Sequence, residues 1–255
     1  MVADTVPPWA AGRTYLVTGA TSGMGAAIAA RLGSAGANVV IQGRDALRLA
    51  DVAERVGKAG GAGHPAPYEL AEPAGAGALV EQAIERFGGL HGLVLNASLF
   101  DPLPLADATL ESLNRQWAIN VAAHFMIVQA AAPVLPRGAA IVFVSSTTAH
   151  AGFAGCSAYA ATKGAVEALA RTLAVELAPQ GIRVNTIAPG FVRTPMLQPH
   201  LDAIEGYEES LNAKTPLGRI GEPEEIAELA ELLLSDRAAY VNGTTIVADG
   251  GWIAQ

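Results

Sequence analysis

Tyr159 and Lys163 stand four residues apart within a helical pattern, which places their side chains on one helix face. An ammonium beside a phenol favours the phenolate and draws the phenol pKa down from about 10 toward the working range. A tyrosine tuned in this way moves protons to or from a substrate oxygen. The same pair occurs on many ordinary helices, so its neighbours decide. Ser145 and Ser146 close the run IVFVSS, and open α/β sheets bind ligands at the C-terminal ends of their parallel strands. Ser146 precedes Tyr159 by 13 residues, enough for a loop to return its hydroxyl beside the phenol.

A second constellation follows the first strand pattern: Thr18, Gly19, Ala20, Thr21, Ser22, Gly23, Met24 and Gly25, then a helical period. A glycine turn between strand and helix exposes backbone N–H groups at a helix N-terminus, where the dipole favours a pyrophosphate. Glycines at 19, 23 and 25 allow a tight turn, close approach of a ligand and close helix packing.

These residues need a scaffold, and the hydrophobic pattern supplies one. Apolar β-type runs recur at 15–18, 38–41, 93–96, 141–145, 184–187 and 244–247, with a weaker one at 64–69 that contains two prolines. Helical periods fall between them at 26–34, 47–56, 78–87, 113–132, 159–177 and 224–234. Asp45 is a plausible N-cap for the second helix, and Gly36 and Gly57 stand where helices should stop. Strands alternating with helices imply βαβ units and a parallel sheet, so the expected fold is a single Rossmann-type α/β domain over 1–255, doubly wound with helices on both faces. One irregular stretch, 190–221, carries Pro195, Pro199 and Pro216 around an apolar segment and reads as a lid over a site.

Composition excludes several function classes. Of the 255 residues 51% are hydrophobic but only 5% aromatic, which points to small-residue packing between helices and sheet. The balance of 16 Lys and Arg against 24 Asp and Glu gives a net charge of −8 with no basic block, and only Lys58, Lys163 and Lys214 are lysines. A nucleic-acid or anionic-membrane partner is not expected. Cys156 is the single cysteine and His64, His91, His124, His150 and His200 are scattered, so neither a disulfide nor a metal site is read. The N-terminal MVADTVPPWAAG lacks the basic-then-apolar order of a signal peptide, and the most apolar stretch, 122–135, is too short and interrupted to span a bilayer. A soluble cytoplasmic protein is expected.

The run TGATSGMG, the Asn of INV, Ser146 with Tyr159 and Lys163, and Pro189–Gly190 followed by Thr194 together resemble the short-chain dehydrogenase/reductase family over nearly the whole chain, down to DGGW. The resemblance implies a nicotinamide-dependent oxidoreductase. On it, Asn120 helps hold a water-linked proton relay, Ser146 bonds the substrate oxygen, and Tyr159 is general acid or base. Lys163 holds the nicotinamide ribose and lowers the Tyr159 pKa, while Thr194 and the backbone near Val192 hold the nicotinamide carboxamide. It also implies a homo-oligomer, most commonly a tetramer, with the Ala-rich long helices permitting close approach. Cofactor contacts are expected from Gly19, Thr21, Ser22, Gly23, Met24, Gly25, Arg44, Asn96, Tyr159, Lys163, Pro189, Gly190, Val192 and Thr194.

Two departures stand out. Where the family shows two asparagines, Ala and Gly, this chain has Leu95, Asn96, Ala97 and Ser98, and Ser98 lacks glycine's backbone freedom. Where an Asp usually reaches the adenine, Glu69 and Leu70 stand instead. For cofactor choice, Gly43 occupies the position at which NAD enzymes of the family carry Asp, and Arg44 offers a guanidinium for a 2′-phosphate. NADP is therefore the expected cofactor and NAD the second choice.

Leu99, Phe100, Phe153, Met196, Leu197 and Leu201 are candidate walls of an apolar pocket. They imply a ketone, or the matching secondary alcohol, on a medium-sized apolar or aromatic skeleton. A 3-oxoacyl thioester reductase is the nearest alternative. A catalytically silent cofactor sensor on the same fold is the alternative of another class, opposed by the intact Asn120, Ser146, Tyr159 and Lys163 set.

Overall fold

Short apolar runs rich in Val, Ile and Leu favour strands buried on both faces, and six of them, with one Pro-containing edge strand, form one parallel sheet in the computed structural model, which describes residues 8–255. The export reading of the first residues therefore lies largely outside the described residues. The strands are β1 (Thr14–Val17), β2 (Asn38–Gly43), β3 (Ala62–Pro67), β4 (Gly92–Leu95), β5 (Ala140–Val144), β6 (Arg183–Pro189) and β7 (Thr245–Ala248), in the order β3-β2-β1-β4-β5-β6-β7. The order reverses between β1 and β4, and the crevice beyond their C-terminal ends is where such sheets take ligands. Pro65 and Pro67 are tolerated because β3 lies at the sheet edge and pairs only with β2.

Nine helices, among the described residues, cover the sheet. On one face α1 (Gly23–Ser34), α2 (Ala46–Lys58) and α9 (Pro223–Leu234) bury Ile28, Leu32, Val52 and Leu233. On the other, α3 (Ala78–Phe87), α5 (Ala123–Ala131) and α6 (Ser157–Leu177) bury Leu79, Ile127, Val166 and Leu173. The expected doubly wound single domain is thus the fold. Asp45 caps α2, accepting from the N–H groups of Leu47 and Arg48 at 3.0 and 3.2 Å. Gly36 follows α1 with φ of +81°, a backbone state glycine adopts without strain. Gly57, expected to end α2, is instead inside it, because the helix runs on to Lys58.

The long helix expected over 113–132 is two helices, α4 (Leu110–Trp117) and α5, joined by a π-helical segment, Ala118–Ala122. Apolar periodicity cannot register such a bulge, which inserts an extra residue without breaking the chain direction. Within 190–221 the chain forms two short helices, α7 (Gln198–Ala203) and α8 (Tyr207–Lys214).

Two glycines make opposite demands. A Cβ on Gly25 would stand 2.4 Å from the Gly19 carbonyl oxygen and 2.7 Å from Asn96 Nδ2, whereas one on Gly57 meets nothing within 4 Å. Gly25→Ala is expected to lower stability by about 1–3 kcal/mol through overpacking. Gly57→Ala should raise it by roughly 0.5–1 kcal/mol through the lost helix-interior penalty of glycine. Urea midpoints of the two variants, read against the parent, check both signs.

Candidate active site

The glycine turn is built by hydrogen bonds that converge on it from neighbouring strands. Gly19 and Gly23 have φ of +64° and +53°. Gly19 N–H donates to Gln42 Oε1 at 2.9 Å, and Gln42 Nε2 donates onward to the Tyr68 carbonyl at 2.8 Å. Asn96 Nδ2 donates to the carbonyls of Thr18 and Gly19 at 3.0 and 3.2 Å, and the Thr18 hydroxyl accepts from the N–H groups of Asn96 and Ala97. Gln42 is thus a structural partner of the turn that sequence spacing did not single out, and Thr18, already read as part of the turn, is a second. Their burial, at 0% and 2% exposure, is a tertiary property.

This turn borders a cavity of about 310 Å³ whose lining includes Gly19, Thr21, Ser22, Gly23, Met24, Arg44, Asn96, Tyr159, Lys163 and Thr194. Gly25 packs beneath it. Backbone crowding at Gly25 leaves no room for a side chain, and Asn96 Oδ1 is buried without a hydrogen-bond partner. The lining itself, the glycine-turn backbone with the polar side chains of Thr21, Ser22, Arg44 and Asn96, fits a polar group laid on the turn. Arg44 is exposed and pairs with Glu69 at 3.4 Å. Ser98, the residue standing where the family has glycine, has no positive φ, so the substitution introduces no backbone strain there.

A second cavity of about 370 Å³ adjoins the first and is mostly apolar. Ser146, Pro189, Gly190 and Val192 line it, and Tyr159, Met24, Ser145, Thr194 and Met196 line both. Four of the six expected walls, Phe100, Phe153, Met196 and Leu197, are present. Leu99 lines the first cavity instead, and Leu201, half-buried on the short helix α7, lines neither. Cys156, Phe191, His200 and Tyr207 complete the wall and were not foreseen. Phe153 is stacked on Trp252 at 4.9 Å and meets Phe191 edge-on at 6.1 Å, so the C-terminal DGGW run braces this wall.

Helix α6 delivers Tyr159 and Lys163 to the junction of the cavities. Both are buried, and Lys163 Nζ donates to the Val144 carbonyl at 2.8 Å while lying 5.5 Å from the Tyr159 ring centroid. Burial lowers the Lys163 pKa to about 7. Burial likewise pushes the Tyr159 phenol up to about 12, with the Ser98 and Ser146 hydroxyls pulling weakly the other way. The lowering expected from the Lys163 charge is not found: desolvation sets the direction, and the phenol stays protonated at neutral pH. Asn120 is fully buried in the π-helical segment, under the site and outside both linings. Its Oδ1 accepts from Leu99 N–H at 2.7 Å, and its Nδ2 donates to the Leu99 carbonyl and the Thr162 hydroxyl, each at 3.0 Å.

A sheet reversal with a glycine turn is where open α/β sheets bind dinucleotides, and a buried Tyr and Lys and a strand-end Ser stand beside it. A family model described as "Enoyl-(Acyl carrier protein) reductase" matches residues 19–253. The chain is 38% identical over 252 residues to the 2,5-dichloro-2,5-cyclohexadiene-1,4-diol dehydrogenase of Sphingobium indicum, covering 95% of this chain and 98% of that protein. Among solved structures, a short-chain dehydrogenase/reductase from Serratia marcescens BCRC 10948 superposes with a TM-score of 0.90 at 35% identity, over 96% of this chain and 99% of that one. A short chain dehydrogenase from Burkholderia cenocepacia J2315 in complex with NADP also gives 0.90, at 32% identity and the same coverage. The chain belongs to the short-chain dehydrogenase/reductase family. Its chemistry is NAD(P)-dependent hydride-transfer redox chemistry. Among the described residues no helix is long and apolar enough to cross a membrane.

The Lys163 shift has a measurable consequence. Its pKa is about 7 folded against 10.5 ordinarily, so between those values the unfolded chain holds more protons and stability rises with pH. Lys163→Met has a similar volume and no proton to lose. The difference in Tm between parent and variant is expected to shift in the parent's favour as pH rises from 7 to 9. A difference that stays constant, or shifts the other way, would refute the depressed pKa.

Proposed function

We propose that the protein interconverts a ketone and a secondary alcohol on a medium-sized apolar or aromatic skeleton, with NADP preferred over NAD. The observation that carries this reading is the place of Tyr159, in the wall shared by the glycine-lined cavity and the aromatic one. A bound nicotinamide supplies or accepts the hydride. The chain's own residues bind, orient and move the proton.

Gly19, Thr21, Ser22, Gly23 and Met24 would hold the pyrophosphate with backbone N–H groups, Gly25 would keep the turn close-packed from beneath, and Asn96 would border the same cavity. Pro189, Gly190, Val192 and Thr194 would seat the nicotinamide, and Lys163 would hold its ribose hydroxyls. Ser146 and Tyr159 would grip the substrate oxygen. The raised Tyr159 pKa keeps its proton available for donation to a developing alkoxide in reduction, and in oxidation the same oxygen takes that proton back. Asn120 would complete a water-linked proton relay from Lys163, its own amide being engaged by Leu99 and Thr162. The segment 190–221 would act as the lid, since its Met196, Leu197, His200 and Tyr207 line the aromatic cavity.

NADP preference rests on Gly43 and Arg44. A Cβ at Gly43 would stand 2.4 Å from Thr21 Cγ2, so the small residue suits the packing and puts no carboxylate at that position, while the nearby Glu69 carboxylate of the same cavity is paired with Arg44. A homotetramer is supported by an exposed apolar stripe along α4 and α5, formed by Leu110, Leu113, Trp117 and Phe125.

Tyr159→Phe is expected to lower turnover at least about 100-fold, the low end of general acid–base contributions, with cofactor binding retained; near-normal turnover defeats the mechanism. In the parent, cyclic or aryl ketones are expected to outperform acetoacetyl thioesters at equal NADPH. A preference of more than about tenfold for the thioester, roughly 1.4 kcal/mol, would favour the acyl reading that the description of the matching family model suggests. Arg44→Ala should weaken NADPH binding far more than NADH binding in direct titrations, and equal effects overturn the cofactor assignment.

A further inference from the structure

One buried carboxylate plays no part in the chemistry above. Glu167 lies one turn beyond Lys163 on α6, with its side chain 7% exposed. An ionised group so far from water is retained only where its lone pairs are taken up. Its Oε1 accepts from the Ser145 hydroxyl at 2.8 Å and meets His150 Nε2 at 2.9 Å. Both partners belong to the short segment after β5 that carries Ser146. The Ser145 hydroxyl also approaches the Lys163 carbonyl at 3.2 Å, and Lys163 Nζ holds the Val144 carbonyl at 2.8 Å. Helix α6 therefore grips this segment at Val144, at Ser145 and at His150.

Ser146 sits between these grips with extended backbone, φ −164° and ψ 154°. Successive residues of extended chain point to opposite sides. Fixing the Ser145 hydroxyl on α6 thus fixes the direction of the next side chain, Ser146, which lines the aromatic cavity that Tyr159 shares; Ser145 itself borders both cavities. Ser146 Oγ also accepts from the Thr148 N–H at 3.2 Å, within the same segment, and Glu167, which lines neither cavity, reaches Ser146 only through that segment.

We propose that Glu167 is a positioning residue for the reaction, fixing the Ser146 hydroxyl against Tyr159 through its bonds to Ser145 and His150. This rests on the ketone–alcohol reading, and the experiment separates the two. Ketone reduction, direct cofactor titration and Tm are measured for Glu167→Ala, Glu167→Gln, Ser145→Ala, the Glu167→Ala/Ser145→Ala pair and Tyr159→Phe. Glu167→Ala and Ser145→Ala are each expected to lower kcat about tenfold, in line with hydrogen bonds to charged groups, while the cofactor Kd changes less than about twofold. The double variant should be no slower than Glu167→Ala alone, because both remove one interaction. Glu167→Gln should keep kcat within about threefold of the parent, since its amide oxygen still accepts from Ser145. Parent-like kcat in Glu167→Ala and Ser145→Ala overturns the proposal, as do additive losses or a Glu167→Gln as slow as Glu167→Ala. Should Glu167→Ala fail to fold, kcat and cofactor Kd in Ser145→Ala and Glu167→Gln decide by the same limits. Near-normal turnover in Tyr159→Phe overturns the parent reading instead.

Discussion

Everything at the site depends on one constraint: a lysine ammonium and a tyrosine phenol are buried together where β5 meets α6. Burial disfavours the charged form of each, so one pKa falls to about 7 and the other rises to about 12. The two groups are held near neutrality in opposite senses, the phenol with its proton and the amine ready to lose one. Only a rigid frame keeps such groups out of water. Here α6 supplies it by packing Val166, Ala170 and Leu173 on the sheet while Lys163 Nζ is tied to the Val144 carbonyl.

The same logic governs the other half of the site. A glycine turn is floppy by itself, because glycine loses more freedom on folding than any other residue. Asn96, Thr18 and Gln42 remove that freedom, bonding the turn to the ends of β4 and to the segment after β3. Their bonds leave Asn96 Oδ1 buried without a hydrogen-bond partner.

Much of this was legible in the sequence, for a physical reason. Strand runs buried on both faces, the glycine spacing and the Asp45 cap are local patterns, and each appeared within a residue or two of its expected place. The π-helical segment at 118–122 was not legible, because its apolar residues satisfy an ordinary helical period. Nor was the depressed Lys163 charge, since adjacency on a helix says nothing about how deeply the pair is buried. The walls contributed by Phe191, His200 and Tyr207 come from segments whose approach is set by tertiary packing alone. Leu201 failed for a related reason, its apolar character saying nothing of the side on which a six-residue helix presents it.

The aromatic cavity shows how distant parts of the chain meet one chemical need. Its inner wall depends on Trp252, near the C-terminus, stacking behind Phe153. Its outer wall depends on Arg193, whose guanidinium makes a two-pronged pair with Glu208 of α8 and reaches Glu222 at the start of α9. Exposed ion pairs contribute little stability singly, but this one joins the segment after β6, the short helix that carries Tyr207 and the cap of a core helix. Val192 and Thr194 flank Arg193, and both line the cavity. A guanidinium holding three segments at once therefore ties the position of the outer wall to residues that border the glycine turn, so the two cavities are shaped by one set of contacts.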